Sequence, residues 1–391
     1  MMSPSVSRRS FLARTGLIGC SLAASPLLTP VSFAAAPWDT RLVVIILRGG
    51  MDGLDVVRPY GDPAFRALRG DMSPGPEGGA LDLDGRFALH PGLASLMPMW
   101  NAGQLGFVHA VSTPYRDKRS HFDGQDLLEA GTTSLNGARD GWLNRVLQVM
   151  PGVTSQTAYA LGRSDMRLVQ GSAEIANWSP NADLGISPQA VRLLEVVTER
   201  DPALHAALSE AQILSQVDDG DAEKLKGEHL EIASFAAARL SEDARIAAFS
   251  LNGWDTHAGQ DRDIERALTR LADTLVMLRG KMRGDTWGKT AVIAMTEFGR
   301  TARPNGTRGT DHGTGGLMIL AGGAIKGGRV YGQWPGLGDG DLYQERDLMP
   351  TGDVRAHAAW VMRGLTGLDR AALEGAVFPG LDMGYDPGLL L

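Results

Sequence analysis

The sequence contains almost no cysteine: a single residue, Cys20, in a chain of 391 residues. One thiol cannot form a disulfide within the chain, and it cannot supply a metal site built from several thiolates. The fold must therefore be held together by packing and hydrogen bonds, and a metal site must use oxygen and nitrogen ligands.

Long apolar runs and excess positive charge are also lacking. Beyond the N-terminal segment, no stretch approaches the roughly 20 apolar residues that a membrane span requires. The formal net charge is −7, from 38 basic and 45 acidic residues. A chain of this sign is unsuited to a polyphosphate backbone, so we expect no nucleic-acid partner. With 43% hydrophobic and 21% charged residues, the sequence is instead typical of a globular protein with a large core.

The N-terminal segment has the pattern of a twin-arginine export signal. The motif SRRSFL at 7–12 precedes a weakly apolar stretch and then small residues. This pattern predicts passage through the twin-arginine translocase to the periplasm or the medium, with a signal at 1–34 and a mature domain at 35–391. Two alternatives are a frayed basic terminus and a lipid anchor, because LIGC at 17–20 resembles a lipoprotein cleavage box.

Short apolar runs predict the strands of a parallel sheet that is covered on both faces. Apolar residues spaced by three and four between 261 and 282 predict an amphipathic helix between two of these strands, and this order indicates a layered α/β fold. Residues 188–240 predict two or three helices that cover one face of the sheet or form a small lid. The predicted strands are 41–47, 105–111, 245–251, 290–295 and 317–320.

Ionisable side chains collect next to the predicted strands, four of them just past a strand's end and two just before the last strand. An open α/β sheet binds its ligands at the carboxyl edge. Carboxylates and imidazoles without sulfur suit zinc, manganese or iron, with magnesium or calcium as the alternatives. We therefore expect a site for one or two divalent ions, although each residue alone could be a helix cap or a structural histidine. The expected metal ligands are Asp52, Asp255, His257, Glu297, Asp311 and His312.

A predicted helix that ends near Gly131 begins at the pair Ser120 and His121. Ser120 is a candidate nucleophile and an equally good helix N-cap, and the two roles are compatible. His121 is a candidate ligand or base. Arg300 is a candidate for placing positive charge beside a bound anion. Further basic residues could do the same or form a solvated face; they are Arg116, Lys118, Arg119 and Arg303.

Several longer motifs together resemble one protein family. They are LRGGMDGLD at 47–55, LHPGL at 89–93, SHFDGQDLLEAG at 120–131, GWLNR at 141–145, NGWDTHAGQ at 252–260 and TEFGRTARPNGTRGTDHGTGG at 296–316. With these motifs the chain resembles the Domain of Unknown Function 1501 family, exported bacterial proteins related to the alkaline phosphatase and sulfatase superfamily. The resemblance implies a three-layer sandwich with a central, mostly parallel sheet. It also implies a site in which two metals clamp the attacking and leaving oxygens of an ester, with Ser120 at the position of the nucleophile.

Two functional hypotheses follow from the residues and the resemblance. The first is an exported metal-dependent hydrolase of phosphate or sulfate esters, acting on a small or polymer-borne anionic substrate. The second is a catalytically altered member of the superfamily, in which the metal stabilises a binding or assembly protein of the periplasm.

Overall fold

The computed structural model describes residues 38–180, 188–198, 201, 205, 208 and 227–391. The predicted signal at 1–34, with Cys20, and most of the predicted helical segment between 199 and 226 lie outside the described residues. The strands are β1 Arg41–Arg48, β2 Val57–Arg58, β3 Leu81–Asp82, β4 Ala88–Leu89, β5 Leu105–Ser112, β6 Ala158–Leu161, β7 Ala176–Trp178, β8 Ile246–Asn252, β9 Thr290–Met295, β10 Gly316–Ala321, β11 Arg329–Tyr331 and β12 Gly352–Asp353. The α-helices are α1 Gly53–Val56, α2 Phe65–Arg69, α3 Met97–Asn101, α4 His121–Ala130, α5 Trp142–Val149, α6 Pro188–Thr198, α7 Glu228–Leu240, α8 Gln260–Lys281, α9 Gly284–Gly288, α10 Val354–Thr366 and α11 Arg370–Ala372.

The described strands form a central sheet of nine and a small antiparallel sheet of three. The order of the central sheet is β11-β5-β10-β9-β1-β8-β6-β7, and β12 also pairs with β5. Strand β10 is antiparallel to both neighbours, and the other pairings of this sheet are parallel. The predicted α/β fold with a central, mostly parallel sheet is therefore confirmed. The five predicted strands agree with observed ones to within one residue at each end.

Strand β1 shows why its sequence is apolar without alternation. Val43, Ile45 and Leu47 belong to a core with residues of α7 and α8. The intervening residues of β1 belong to a second core with residues of α5 and α10. Because successive side chains point to opposite faces, a strand covered by helices on both faces needs apolar residues at every position. The result is a three-layer sandwich.

The long helix α8 occupies nearly the predicted range, and its apolar stripe, which includes Ile264, Leu268 and Leu271, is buried. Helix α7, in the segment predicted to cover the sheet or form a lid, packs against α8 and contributes Phe235 and Leu240 to the same core. No helix among the described residues combines the length and the apolarity that crossing a membrane would need.

The reversed strand β10 determines where the functional residues meet. Strands β1, β5, β8 and β9 run in one direction, so their carboxyl ends share an edge of the sheet. Because β10 runs the opposite way, its amino end lies at that edge, where Gly316 pairs with Val111 near the end of β5. Residues that precede β10 are thus brought beside residues that follow the other strands.

Candidate metal centre

Three side chains from different loops bring their ligand atoms together at this edge. The ligand atoms of His121, Asp255 and His312 all lie within 4.8 Å of one another. The Nε2 atoms of His121 and His312 are each 3.4 Å from Asp255 Oδ1. His257 joins this cluster through its Nε2, which is 3.1 Å from Asp255 Oδ1 and 2.9 Å from His312 Nε2.

In each of these three histidines the other ring nitrogen is held by an oxygen. A carbonyl or carboxylate oxygen only accepts hydrogen bonds, so each Nδ1 is the donor, and the neutral ring then presents an Nε2 lone pair. Metal-binding histidines in proteins are held in this way. The pairs are His121 Nδ1 with Glu297 Oε1 at 2.8 Å, His257 Nδ1 with Asp311 Oδ1 at 3.1 Å and His312 Nδ1 with the Arg119 carbonyl at 2.7 Å.

Two observations indicate that this cluster fits a cation. His121 Nε2 is buried and has no hydrogen-bond partner, which is costly for a polar atom. His257 Nε2 and His312 Nε2 lie only 2.9 Å apart, and with both Nδ1 atoms donating elsewhere this pair needs a proton or a metal ion between its nitrogens. Tetrahedral zinc, with bonds of about 2.0–2.1 Å, separates its ligands by roughly 3.3 Å, close to the spacings seen here. A donor set rich in imidazole nitrogen suits zinc or iron better than magnesium or calcium.

Asp255 is kept anionic by Arg300. Burial opposes ionisation of Asp255, but the hydrogen bond from Arg300 and its charge lower the pKa of this carboxyl below its usual value. Arg300 Nη2 lies 2.6 Å from Asp255 Oδ1, and the Arg300 side chain is completely buried. The guanidinium also donates to the carbonyls of Gly49, Gly50, Trp254 and Thr310. Arg300 is thus a positioning residue: its guanidinium holds three loops together through their carbonyls and binds the carboxylate of Asp255.

Glu297 and Asp311, both predicted as ligands, lie behind the histidines. Glu297 is fully buried and accepts hydrogen bonds from His121, Gln125 and the backbone N–H of Gly49. Burial raises the pKa of Glu297, but the bonds from His121 and Gln125 outweigh it and lower the pKa overall. The same Glu297 bond raises the pKa of His121 against the effect of burial. Glu297 therefore orients the imidazole ring of His121.

Asp311 is oriented by Asn305, whose Nδ2 donates to Asp311 Oδ1 at 3.0 Å. This hydrogen bond is the main reason why the pKa of Asp311 is lowered, and the bond from His257 adds to it. For His312, by contrast, burial dominates and lowers the pKa, which favours the neutral ring that a metal ligand requires.

The structure does not bring Asp52 into contact with the cluster. Its two carboxylate oxygens accept from Arg69 at 2.6 and 2.9 Å, and Gln260 Nε2 donates to it at 2.7 Å. Burial raises the pKa of Asp52, but the charge of Arg69 together with the hydrogen bonds from Arg69 and Gln260 outweighs it and holds the pKa below its usual value. Gln260 Oε1 in turn accepts from Thr256 and Thr310, so Asp52 supports the loops that carry the cluster.

Ser120 is the N-cap of α4. Its Oγ accepts a long hydrogen bond, 3.4 Å, from the backbone N–H of Asp123, and its own N–H donates to the Tyr115 hydroxyl at 2.9 Å. Helix α4 then runs from His121 to Ala130 and ends at Gly131, which has φ +66°. The cap is therefore observed, and the role as nucleophile stays a prediction.

Glycine lets the loops approach as closely as the cluster requires. Gly49 has φ +124°, and a Cβ there would lie 2.5 Å from the backbone nitrogen of Asp255. A Cβ on Gly309 would lie 2.3 Å from the carbonyl carbon of His257. Both positions exclude any larger residue without movement of the metal-site loops.

Sequence reasoning missed the residues that support the ligands. Gln125 and Gln260 lie within the motifs SHFDGQ and NGWDTHAGQ, so those motifs offered a signal. Arg69 lies in α2, outside the motifs that surround the predicted ligands, and only the fold shows that it pairs with Asp52, 17 residues earlier.

A family model described as "Protein of unknown function (DUF1501)" matches residues 110–369. No curated protein matches the sequence. Among solved structures, a sulfatase, PsFucS1 from Pseudoalteromonas sp., is 11% identical with a TM-score of 0.38, and the alignment covers 99% of this chain and 77% of the sulfatase.

Two further solved structures are similarly distant. The lipoteichoic acid synthase LtaP from Listeria monocytogenes is 9% identical with a TM-score of 0.38, over 92% of this chain and 78% of the synthase. A mutant of TAB5 alkaline phosphatase with bound magnesium is 12% identical with a TM-score of 0.34, over 76% of this chain and 95% of the phosphatase.

Proposed function

Because this chain belongs to the DUF1501 family of proteins of unknown function, its activity has to be inferred from its site, and we propose an exported metal-dependent hydrolase of phosphate or sulfate esters. The observation that carries the proposal is the convergence of His121, Asp255 and His312, with the buried Nε2 of His121 lacking any hydrogen-bond partner. A cluster so arranged has the features of a metal site.

In this proposal His121, His312 and Asp255 hold the ion, and His257 completes the set of donors. Glu297 and Asp311 fix the ring orientations of His121 and His257. When bound, a divalent ion supplies Lewis-acid polarisation of an ester oxygen. Because the cluster lies at the carboxyl edge of the sheet and Asp255 is half exposed, a substrate can reach it from solvent.

Ser120 is the proposed nucleophile, with a water molecule as the alternative. It precedes the ligand His121 directly in the chain and lies at the N-terminus of α4. Backbone N–H groups and the helix dipole at that end favour negative charge on a nearby oxygen. The hydrogen bond that Ser120 Oγ accepts from Asp123 leaves its own hydroxyl proton available for transfer.

Metal content is the first test, by elemental analysis of the protein purified after export. We expect about one divalent ion per chain, because the described residues contain one such cluster and Arg69 occupies the carboxylate of Asp52, which a second ion would need. Asp255→Asn and His312→Ala should lose the ion. His229→Gln, which changes a histidine of α7 outside the cluster, should retain it.

Turnover is the second test, with aryl phosphate monoesters, aryl phosphate diesters and aryl sulfates. The proposal requires hydrolysis of at least one class, abolished by a chelator and restored by zinc or manganese. Metal binding without turnover on any of these esters would contradict the hydrolase and favour a metal-stabilised binding protein. A protein purified without metal, and unable to take it up, would contradict both.

A further inference from the structure

Two strained loop segments meet beside the candidate metal centre. In the part of the chain that the structure describes, six residues other than glycine have positive φ, and four of these lie in the segments 115–120 and 343–347. Such conformations are unfavourable for residues with a side chain and persist where surrounding contacts enforce them. The four are Asp117 at φ 67°, Arg119 at 54°, Gln344 at 51° and Glu345 at 54°.

The two segments hold each other in place. The Tyr343 hydroxyl and Gln344 Nε2 both donate to Asp117 Oδ1, at 3.1 and 2.9 Å. Arg346 Nη1 donates to the carbonyl of His312 at 3.0 Å, so the second segment also contacts the metal site. Strain maintained by contacts of this kind is typical of functional loops.

The strained backbone of Arg119 contacts His312 of the cluster. Its carbonyl accepts from His312 Nδ1 at 2.7 Å, which fixes the backbone of Arg119 next to the cluster. Its side chain remains one third exposed, and within the described residues its guanidinium makes no hydrogen bond. The ion pair of Arg119 with Asp347 is long, 3.8 Å.

Asp347 is already occupied by other partners. It is fully buried and accepts from Thr314 Oγ1 at 2.9 Å and from Arg346 Nη1 at 2.8 Å. The charge of Arg119 is therefore only weakly compensated.

Unlike Arg119, the neighbouring Arg300 and Arg116 have guanidinium groups that donate hydrogen bonds. The guanidinium of Arg300 is bound to Asp255 and to backbone carbonyls, and Arg116 Nη1 donates to the carbonyls of Thr113 and Tyr115. Among these three arginines, Arg119 is the one with a guanidinium available to a ligand.

We infer that Arg119 binds the tetrahedral oxyanion group of the substrate and thereby sets the specificity of the site for phosphate or sulfate esters. This inference rests on the proposed function, because it takes the anion to lie at the metal cluster. A guanidinium donates two parallel N–H bonds to two oxygens of such a group. The hydrogen bond that His312 Nδ1 donates to the Arg119 carbonyl places the backbone of Arg119 next to the cluster.

The variant Arg119→Gly tests the role of the Arg119 side chain separately from the role of its backbone carbonyl. Glycine adopts φ +54° without strain and keeps the carbonyl that holds His312, so metal content should be unchanged and thermal stability equal or higher. By isothermal titration of the metal-loaded protein, affinity for inorganic phosphate or sulfate should fall roughly 10- to 100-fold, the usual effect of losing hydrogen bonds to a charged group.

Arg308→Gly is the matched control. Arg308 also has positive φ, 57°, and its guanidinium pairs with the exposed Asp261. The control removes the same charge and relieves the same kind of strain, and it should leave anion affinity unchanged.

An equal loss of affinity in Arg119→Gly and Arg308→Gly would overturn the inference, because net charge would then explain both. Unchanged affinity in Arg119→Gly, loss of its metal, or failure of the metal-loaded parent protein to bind either anion would also overturn it. Binding of inorganic phosphate does not require turnover. A protein whose phosphate binding depends on Arg119 but which hydrolyses no ester would therefore refute the proposed hydrolase while supporting an oxyanion site.

Discussion

At the scale of single residues, two histidines show how partners decide the role of a side chain. His109 Nε2 lies 2.9 Å from the carbonyl of Val57, and its Nδ1 accepts from the backbone N–H of Ala110. Both nitrogens of His109 thus serve the fold. His121 has one nitrogen bound by Glu297 and the other buried without a hydrogen-bond partner, which leaves that nitrogen for a metal ion.

Glu297→Gln should weaken metal binding without unfolding the protein. An amide of the same size can still accept from His121, but it lacks the charge that makes the ring a stronger donor to a metal. We expect metal affinity to fall about 10- to 100-fold, as for other residues that orient metal-bound histidines. Competition with a chelator of known affinity measures this change.

Glu265→Gln, an equivalent change on the exposed face of α8, is the control and should have no effect on metal affinity. Equal metal affinity in Glu297→Gln and the parent protein would contradict the role given to Glu297.

At the scale of elements, the start of helix α4 combines three roles in two consecutive residues. Ser120 is the helix cap and the proposed nucleophile, and His121 is a proposed metal ligand. Ser120 ends the extended backbone before the helix, and His121 begins the helix. The sequence predicted both ends of α4, because a serine cap and a terminal glycine are local signals. The direction of β10 could not be predicted in this way, since short apolar runs carry no information about strand polarity.

Ser120 variants separate capping from catalysis. Ser120→Ala removes the cap and should lower the free energy of unfolding by about 1 kcal/mol, or less given the long hydrogen bond, whereas Ser120→Asn keeps a capping oxygen and should be nearly neutral. Chemical denaturation measures this difference. If Ser120 is the nucleophile, both variants lose ester hydrolysis while retaining metal; hydrolysis by Ser120→Asn at the parent rate would assign the attack to water.

At the scale of the whole molecule, His109 should make stability depend on pH. Burial lowers the pKa of His109 to about 4, from an ordinary value of 6.5. Between these pH values the unfolded chain binds a proton that the folded protein does not, so acidification favours unfolding. Stability should therefore fall as pH falls from 6.5 to about 4, by at most ~3 kcal/mol from this group.

Denaturant unfolding across this pH range measures the effect, with a chelator present so that loss of metal does not contribute. His109→Gln cannot titrate and keeps a donor for the carbonyl of Val57, so its stability should depend less on pH over the same window. Identical pH dependence in the two proteins would show that His109 is not the group responsible.

The sequence alone was sufficient to predict five strands of the central sheet (β1, β5, β8, β9 and β10), the long helix and the α/β class, because these depend on local apolar spacing and on turn residues. It also placed Asp255, His257 and His312 near one edge. Which polar residues converge on one point depended on long-range contacts: Arg69 pairs with Asp52, Glu297 and Asp311 lie behind histidines, and Arg300 holds Asp255.

These assignments belong to the tertiary structure because a carboxylate's role is fixed by the charges packed against it. The same residue type at the end of a strand becomes an ion-pair partner in Asp52 and a member of the metal cluster in Asp255. The reversal of β10 is equally a matter of tertiary structure, and it alone brings His312 to the edge where the other strands end.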